Sequence, residues 1–199
     1  MMVKICGITN REDALAAIEG GASALGFNFW PKSPRYVPPE RAAELVTGLP
    51  GRVWKVGVFV NESAEAVAQL AGALGLDVVQ LHGETPPPAG LRVWRALPVE
   101  AGFRAELLDR YEAEAFLLDA PAGPLVGGSG RTFDWRRVAG LKHRIILAGG
   151  LDADNVGEAI RTARPWGVDA CSRLESAPGK KDHRKLAAFL EAALREGAS

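Results

Sequence analysis

Short apolar segments recur along this chain at intervals of about 25 residues. Each is rich in Val, Ile, Leu or Phe and short enough to be a buried β-strand rather than a helix. Eight such segments occur, at 3–6, 24–29, 53–60, 77–82, 92–97, 115–120, 144–149 and 167–171. The pattern therefore predicts eight strands.

Stretches with apolar residues at helical spacing separate most of these segments. Their predicted N-caps are the capping box Thr9-x-x-Glu12 and the residues Ser63, Asp152 and Asp182. Two connections between strands lack a clear helical pattern. The ETPPPAG stretch at 84–90 is too rich in proline for an ordinary helix, and residues 99–112 have only a weak helical period.

An alternation of strand and helix predicts parallel strands with right-handed crossovers, arranged either as a closed barrel or as an open doubly wound sheet. Eight units favour closure, so we expect an α/β protein with one single-domain (β/α)8 TIM barrel over residues 1–199. Active sites of TIM barrels lie at the carboxyl ends of the strands. Polar residues at those ends are therefore the candidates for function.

Composition narrows the range of partners. The 24 basic side chains balance 24 acidic ones, which disfavours nucleic acid or an anionic membrane as a partner. The two cysteines and a start that lacks the features of a signal peptide favour a reducing cytoplasm. No apolar run reaches the roughly 18 residues of a membrane-spanning helix. The histidines and cysteines show no metal-ligand spacing, so we expect neither a metal nor another cofactor.

Side-chain alternation places several polar groups at the mouth of the predicted barrel. Lys4 and Cys6 share the inward face of the first strand, and His82, Asp119 and Asp169 lie near the ends of three others. A carboxyl group that ends an apolar strand tends to have a raised pKa, as a general acid requires. Two other interpretations stay open: Cys6 as a small buried apolar residue, and Asp119 as the cap of a loop. We interpret His82 as lining the mouth or as a structural hydrogen-bonding group.

Glycines follow the sixth and seventh predicted strands, where their backbone amides could bind a phosphate. They are Gly127, Gly128 and Gly130, then Gly149 and Gly150. The segment GGSGRTFD lacks the third glycine of a dinucleotide fingerprint and the lysine of a Walker loop. A phosphate on a small molecule is therefore favoured over a nucleotide, although most paired glycines only form turns.

Two further groups could bind the charged ends of a ligand. Ser172 and Arg173 follow the eighth strand, and the loops after strands seven and eight commonly bind phosphate in TIM barrels. Arg35 lies in the proline-rich segment at 30–40, and its planar guanidinium suits a carboxylate. The alternative for Arg35 is a solvated side chain on a rigid loop.

Motifs in order along the whole chain resemble those of the phosphoribosylanthranilate isomerases. The most specific are ICGIT (5–9) and KSPRYV (32–37). The others are VGVFVN (56–61), VQLHG (79–83), LLDA (117–120), GGSGRTFDW (127–135), LAGGL (147–151) and PGKKD (178–182). Each motif is short, but their number and register make the resemblance specific.

The resemblance implies a cofactor-independent Amadori rearrangement in tryptophan biosynthesis. N-(5-phosphoribosyl)anthranilate becomes 1-(2-carboxyphenylamino)-1-deoxyribulose 5-phosphate. In the family, the aspartate that matches Asp119 protonates the furanose ring oxygen, and the cysteine that matches Cys6 removes the C2 proton. Asp119 must then be protonated and Cys6 partly a thiolate, and Lys4 is the nearest candidate cation.

By the same resemblance Arg35 binds the anthranilate carboxylate, and Gly149 and Gly150 bind the phosphate with the loop after strand eight. That loop departs from the family pattern, which typically reads Ser-Ser-Gly-Val-Glu where this chain has Cys-Ser-Arg-Leu-Glu at 171–175. Arg173 replaces a glycine, and either strains the loop or adds a phosphate contact.

Three alternatives to a phosphoribosylanthranilate isomerase stay open. Another phosphosugar isomerase or epimerase would more often have paired carboxylates or metal-binding histidines at the mouth. A non-catalytic sugar-phosphate-binding barrel has no need of both Cys6 and Asp119. A purely structural barrel would dock through the apolar loop at 29–31, although that loop could equally form a homodimer.

Overall fold

The protein is described here from a computed structural model, which covers residues 1–121 and 132–198. Eight parallel strands form a closed barrel in sequence order, and pairing of the first strand with the eighth closes it. The strands are β1 Met2–Cys6, β2 Ala24–Asn28, β3 Trp54–Val60, β4 Val78–His82, β5 Val93–Pro98, β6 Ala115–Asp119, β7 Ile145–Leu147 and β8 Gly167–Ala170. The predicted barrel is confirmed, and the open sheet is excluded.

Helices surround the barrel unevenly. The α-helices of the described residues are α1 Arg11–Glu19, α2 Pro39–Val46, α3 Ala64–Leu74, α4 Val156–Ala163 and α5 His183–Gly197. Short 3-10 helices occupy Ala105–Arg110, Trp135–Val138 and Ser172–Leu174. No helix of the described residues is long and apolar enough to cross a membrane.

The connection from β4 to β5 contains no helix, as its prolines indicate. The buried guanidinium of Arg95 orders this connection, donating to the backbone carbonyls of Gly83 (2.8 Å) and Thr85 (2.6 Å). Both buried carbonyls therefore have a hydrogen-bond partner.

Two of the four predicted helix caps are correct. Ser63 accepts a hydrogen bond from the backbone of Ala66 at the start of α3, and Asp182 accepts two at the start of α5. The capping box at Thr9 is wrong, because Asn10 caps α1 by accepting from the backbone of Asp13. Asp152 is also wrong as a cap, because α4 begins only after Asn155.

Apolar side chains fill the barrel from its amino-terminal end. Trp94 is fully buried there, and its ring centroid lies 5.9 Å from that of Trp54 and 6.0 Å from that of Trp166. A second apolar layer lies between the strands and the helices. Among the described residues, buried polar side chains such as Lys4 and Asp169 lie above the apolar layer inside the barrel, so a site is expected at the carboxyl ends of the strands.

The loop at 29–31 differs from the predicted docking surface. Phe29 is buried and stacks on Phe59 with ring centroids 5.2 Å apart, so it belongs to the core. Trp30 is half-buried, and Pro31 is exposed. The loop therefore does not present a continuous apolar surface.

Candidate active site

A cleft opens at the carboxyl ends of the strands, where polar and titratable side chains from several strands converge. Cys6 of β1, His82 of β4, Asp119 of β6 and Asp169 of β8 all line it. The predicted convergence of these four side chains is thus confirmed. Cys6 and Asp119 lie on strands three steps apart around the ring, which places them on different sides of the cleft.

A buried ion pair forms the floor beneath Cys6. Lys4 Nζ donates to Asp169 Oδ1 at 2.7 Å, and β1 and β8 hold the two residues in register. Burial opposes the charge on Lys4, but Asp169 and Cys6 outweigh burial and raise the pKa of the ammonium. Burial raises the pKa of Asp169 to about 7, although Lys4 acts in the opposite direction. Lys4 therefore stays cationic beneath the thiol.

The Cys6 thiol lies in a cationic environment. A hydrogen bond from Cys171 lowers the pKa of Cys6 well below its usual value, and the ammonium groups of Lys4 and Lys181 add to this effect against the cost of burial. The pKa of Cys171 is raised, because its proton is shared with Cys6 and the side chain is buried. Cys6 is therefore the more acidic thiol of the pair, and Lys4 contributes as the sequence predicts.

Arg35 lines the cleft but is not a freely solvated side chain. Its Nε and Nη2 donate to the carboxylate of Glu175 at 2.8 and 2.7 Å, and Lys181 Nζ donates to the same carboxylate at 3.0 Å. Burial opposes ionisation of Glu175, but the two cations outweigh it and lower its pKa. The alternative of a solvated Arg35 side chain is therefore wrong, because Glu175 holds the guanidinium.

The sequence pattern does not indicate the roles of Glu175 and Lys181. They lie on a two-stranded antiparallel sheet after the barrel, formed by β9 Glu175–Ala177 and β10 Lys180–Lys181. The turn Pro178-Gly179 was visible in the sequence and predicts such a reversal. Nothing local indicates that the resulting hairpin folds back onto Arg35.

Asp119 and the backbone of Gly149 approach each other closely. Gly149 has φ +91°, and a Cβ atom at this position would lie 2.7 Å from Asp119 Oδ1 and 2.7 Å from the backbone nitrogen of Ala120. Only glycine fits both the conformation and the space. Gly149 therefore lets the loop after β7 pack against the carboxyl group.

The loop between Gly150 and α4 is held by its own side chains. Asn155 Nδ2 donates to the Gly150 carbonyl at 2.8 Å, and Asn155 Oδ1 accepts from the backbone of Asp152 at 3.0 Å. Asp152 in turn accepts from the backbone nitrogens of Asp154 and Asn155. These contacts fix the two glycines at the edge of the cleft.

Ser172 and Arg173 also line the cleft, as predicted. Arg173 lies in the 3-10 helix Ser172–Leu174, and it is absent from the positive-φ residues among those that the structure describes. Loop strain, one of the two alternatives for this residue, is therefore wrong. The Arg173 guanidinium instead forms an ion pair with Asp152 (3.2 Å), which joins the loops after β7 and β8.

His82 forms a pair with Gln80 inside the mouth. Gln80 Nε2 lies 2.9 Å from His82 Nε2, so the amide donates and the neutral ring accepts. Burial lowers the pKa of His82 to about 4, and Lys4 and Arg95 add repulsion. The ring is therefore neutral near pH 7.

This neutral histidine predicts an acid-sensitive fold. The unfolded chain binds a proton at His82 near pH 6.5 and the folded chain only near pH 4, so the stability that the neutral ring contributes is lost as the pH falls between these values. We expect a loss of roughly 1–2 kcal/mol, reduced from the full shift because the ring is partly exposed. Urea unfolding at pH 7 and pH 4.5 measures it, and His82→Gln should lose less. An equal loss in both proteins would contradict the assignment.

In the part of the chain that the structure describes, no three His, Cys, Asp or Glu side chains form a group that could hold a metal. The predicted glycines Gly127, Gly128 and Gly130 lie outside the described residues. The site is thus built from a thiolate, a carboxyl group, a paired arginine and a glycine loop. These are groups for proton transfer and for binding anions.

The fold and this cleft define a TIM-barrel enzyme with an acid–base site. Residues 3–192 match the family model of N-(5'-phosphoribosyl)anthranilate (PRA) isomerase. The chain is 55% identical over 196 residues to the N-(5'-phosphoribosyl)anthranilate isomerase of Solibacter usitatus (strain Ellin6076), covering 97% of each chain. The chain therefore belongs to the N-(5'-phosphoribosyl)anthranilate isomerase family.

Solved structures agree with this assignment. The chain is similar to mutually generated monomers of the dimeric phosphoribosylanthranilate isomerase of Thermotoga maritima, with TM-score 0.87, 40% identity and coverage of 98% of this chain and 99% of that one. A phosphoribosylanthranilate isomerase in complex with reduced 1-(o-carboxyphenylamino)-1-deoxyribulose 5-phosphate gives TM-score 0.84, 38% identity and the same coverage.

Proposed function

We propose that this chain isomerises N-(5-phosphoribosyl)anthranilate to 1-(2-carboxyphenylamino)-1-deoxyribulose 5-phosphate in tryptophan biosynthesis. The observation that carries the proposal is the placement of Cys6 and Asp119 on β1 and β6, on different sides of one cleft. A substrate bound between them can receive a proton at one atom and lose a proton at another. The rearrangement transfers no electrons to an acceptor, so it needs no redox cofactor.

Asp119 is the general acid of this proposal. Its proton passes to the furanose ring oxygen, the bond between that oxygen and C1 breaks, and the anthranilate nitrogen forms a Schiff base with C1. Asp119 ends β6 beside the buried Leu117 and Leu118. The step requires the protonated form of this carboxyl group.

Cys6 is the general base. Its thiolate removes the proton from C2 of the Schiff base, which gives an enolamine, and ketonisation of the enolamine gives the product. The hydrogen bond from Cys171 and the charge of Lys4 supply the thiolate near neutral pH. The buried Lys4–Asp169 pair keeps that charge in place, so Asp169 acts through Lys4.

Two groups of residues anchor the charged ends of the substrate. Arg35 takes the anthranilate carboxylate, and its bond to Glu175 orients the guanidinium in advance. Gly149, Gly150 and Ser172 bind the phosphate, and Arg173 adds a cation at the edge of the same region. His82 remains a mouth-lining residue that forms its hydrogen bond to Gln80.

Gly149→Ala tests the contact between the phosphate loop and the acid. Because the added Cβ would lie 2.7 Å from Asp119 Oδ1, we expect the carboxyl group to be displaced and kcat to fall about tenfold or more. Gly140→Ala is the matched control, since Gly140 also has a positive φ (+73°) but open space around it. Equal kcat values for the two variants would contradict this reading.

Arg35→Met tests the carboxylate anchor. The loss of a charge-assisted hydrogen bond should raise KM about 10- to 100-fold with a smaller effect on kcat. Arg35→Lys keeps the charge and should recover part of the affinity. Steady-state kinetics and thermal unfolding of both variants separate binding from the loss of the Glu175 pair. An unchanged KM in Arg35→Met would contradict the proposal that Arg35 binds the anthranilate carboxylate.

Growth of a tryptophan auxotroph tests the proposed function. A bacterial strain without its own PRA isomerase should grow on medium lacking tryptophan when it expresses this chain. The same strain with the Asp119→Asn chain should not grow. No growth with soluble wild-type chain would contradict the function and favour the non-catalytic sugar-phosphate-binding alternative.

The remaining predictions concern binding partners and cellular location. We propose a small-molecule phosphosugar as the ligand, with no part for nucleic acid or a membrane. The homodimer predicted from the loop at 29–31 stays a prediction, weakened by the burial of Phe29. A cytoplasmic location likewise stays a prediction.

A further inference from the structure

We propose that Cys6 and Cys171 form an intramolecular disulfide that reversibly inactivates the protein under oxidising conditions. The two residues are the free cysteines of the chain, and both line the cleft. The proposal rests on the proposed function only in that the disulfide removes the general base.

The strand register brings the two sulfurs together. Ile5 of β1 pairs with Ala170 of β8, so the next residues along the two parallel strands are Cys6 and Cys171. Neighbouring strands are about 4.8 Å apart, within the Cα separation of about 4.4–6.8 Å found across disulfides. Both side chains point to the cleft, and their thiols are in hydrogen-bonding contact.

The surroundings distinguish the two sulfurs chemically. Cys6 is half-buried at the mouth and is the thiolate, so it reacts first with an oxidant that enters the cleft. Cys171 lies 3.9 Å from Lys181 Nζ and 3.8 Å from Glu175 Oε1. Lys181 stabilises the Cys171 thiolate as it forms, and the departing glutathione thiolate takes up the Cys171 proton. Cys171 is thus placed to resolve the first adduct.

A low-molecular-weight disulfide such as glutathione disulfide is the co-reactant. The Cys6 thiolate attacks one of its sulfurs, the sulfur–sulfur bond breaks, and one glutathione thiolate leaves. Cys171 then attacks Cys6 sulfur, the mixed disulfide breaks, and the second glutathione leaves. Two protein thiols are oxidised, one glutathione disulfide is reduced to two thiols, and the reverse reactions restore the protein.

Peptide mapping tests the bond without reference to activity. The chain is treated with glutathione disulfide, free thiols are alkylated under acid, and trypsin releases Cys6 in residues 5–11 and Cys171 in residues 162–173. We expect these two peptides to be linked in the monomer band of a non-reducing gel. Free thiols, a lasting glutathione adduct on wild-type Cys6, or linkage only between chains would overturn the proposal.

Cys171→Ser is the matched variant. It cannot close the bond, so we expect it to keep a glutathione adduct on Cys6. Each protein is compared with its own reduced activity. The activity of the fully oxidised wild type should fall about 10²-fold or more, as expected for removal of a general base. Dithiothreitol should restore this activity. Bound product should slow the oxidation of Cys6, because it covers the thiol.

The two failures are distinguishable. If the linked peptides form but the reduced chain turns over no substrate, the disulfide stands and the proposed function fails. If the reduced chain is active but no linked peptides form, the disulfide fails and the proposed function stands.

Discussion

Replacing Asp119 by asparagine should lower kcat by about 10²–10⁴-fold, the usual contribution of a general acid. Asparagine has nearly the same shape as aspartic acid, but its amide cannot transfer a proton to the furanose ring oxygen. The neighbouring Gly149 tolerates the new side chain, because it has no Cβ atom to clash with it. The kcat of Asp119→Asn, measured by loss of substrate fluorescence, checks this expectation.

The control for this variant is Asp109→Asn. Asp109 is exposed and pairs with His143 outside the cleft, so its amide should leave turnover unaffected. Thermal unfolding and circular dichroism show whether each variant keeps the wild-type fold. A folded Asp119→Asn chain with near wild-type kcat would show that another group opens the ring.

Replacing Cys6 by serine should have an equally large effect, again about 10²–10⁴-fold on kcat. A serine hydroxyl is about the size of a thiol but does not ionise near neutral pH. The hydrogen bond from Cys171 and the charges of Lys4 and Lys181 lower the pKa of the thiol, and they cannot bring a hydroxyl into the same range. The C2 proton would then have no base to accept it, while the substrate should still bind.

Cys171→Ser is the matched comparison, because a side-chain hydrogen bond links Cys171 to Cys6. A serine at 171 still offers a hydroxyl donor to Cys6, so the decrease in kcat should be far smaller than that of Cys6→Ser. Exchange of deuterium from labelled C2 into solvent gives a second readout for the same step. If Cys171→Ser loses as much turnover as Cys6→Ser, the base cannot be assigned to Cys6 alone.

The sequence predicts the barrel well because its strands are marked locally. Runs such as DVVQLH and AFLLDA are buried on both faces, and β4 and β6 lie within those runs. Cys6 and Asp119 each end a parallel strand, so they lie at the same end of the barrel. Side-chain parity then turns both toward its interior. Parity is a property of each strand alone, so no tertiary information is needed for it.

The contacts that tune the site depend on residues far apart in the chain. Arg35 meets Glu175 across 140 residues, and Lys4 meets Asp169 across 165. Cys6 meets Cys171 only because β1 pairs with β8. Barrel closure and the hairpin after β8 create these pairs, and no local pattern in the sequence shows them.

The predictions of helix N-caps were wrong where several neighbouring polar residues could cap the same helix. Thr9, expected to cap α1, instead donates its hydroxyl proton to the Gly179 carbonyl, while Asn10 caps the helix. Asp152, expected to cap α4, stabilises the turn before it and forms an ion pair with Arg173. Asn10 therefore caps α1, whereas α4 begins after Asn155 without a side-chain cap.

The most direct test is fluorescence decay of freshly generated N-(5-phosphoribosyl)anthranilate with EDTA-treated wild-type chain and with Cys6→Ser. The acid–base account predicts rapid decay with wild type, a product of the same mass as the substrate, and only spontaneous decay with Cys6→Ser. Wild-type decay no faster than spontaneous hydrolysis, or equal decay with the two proteins, would contradict it.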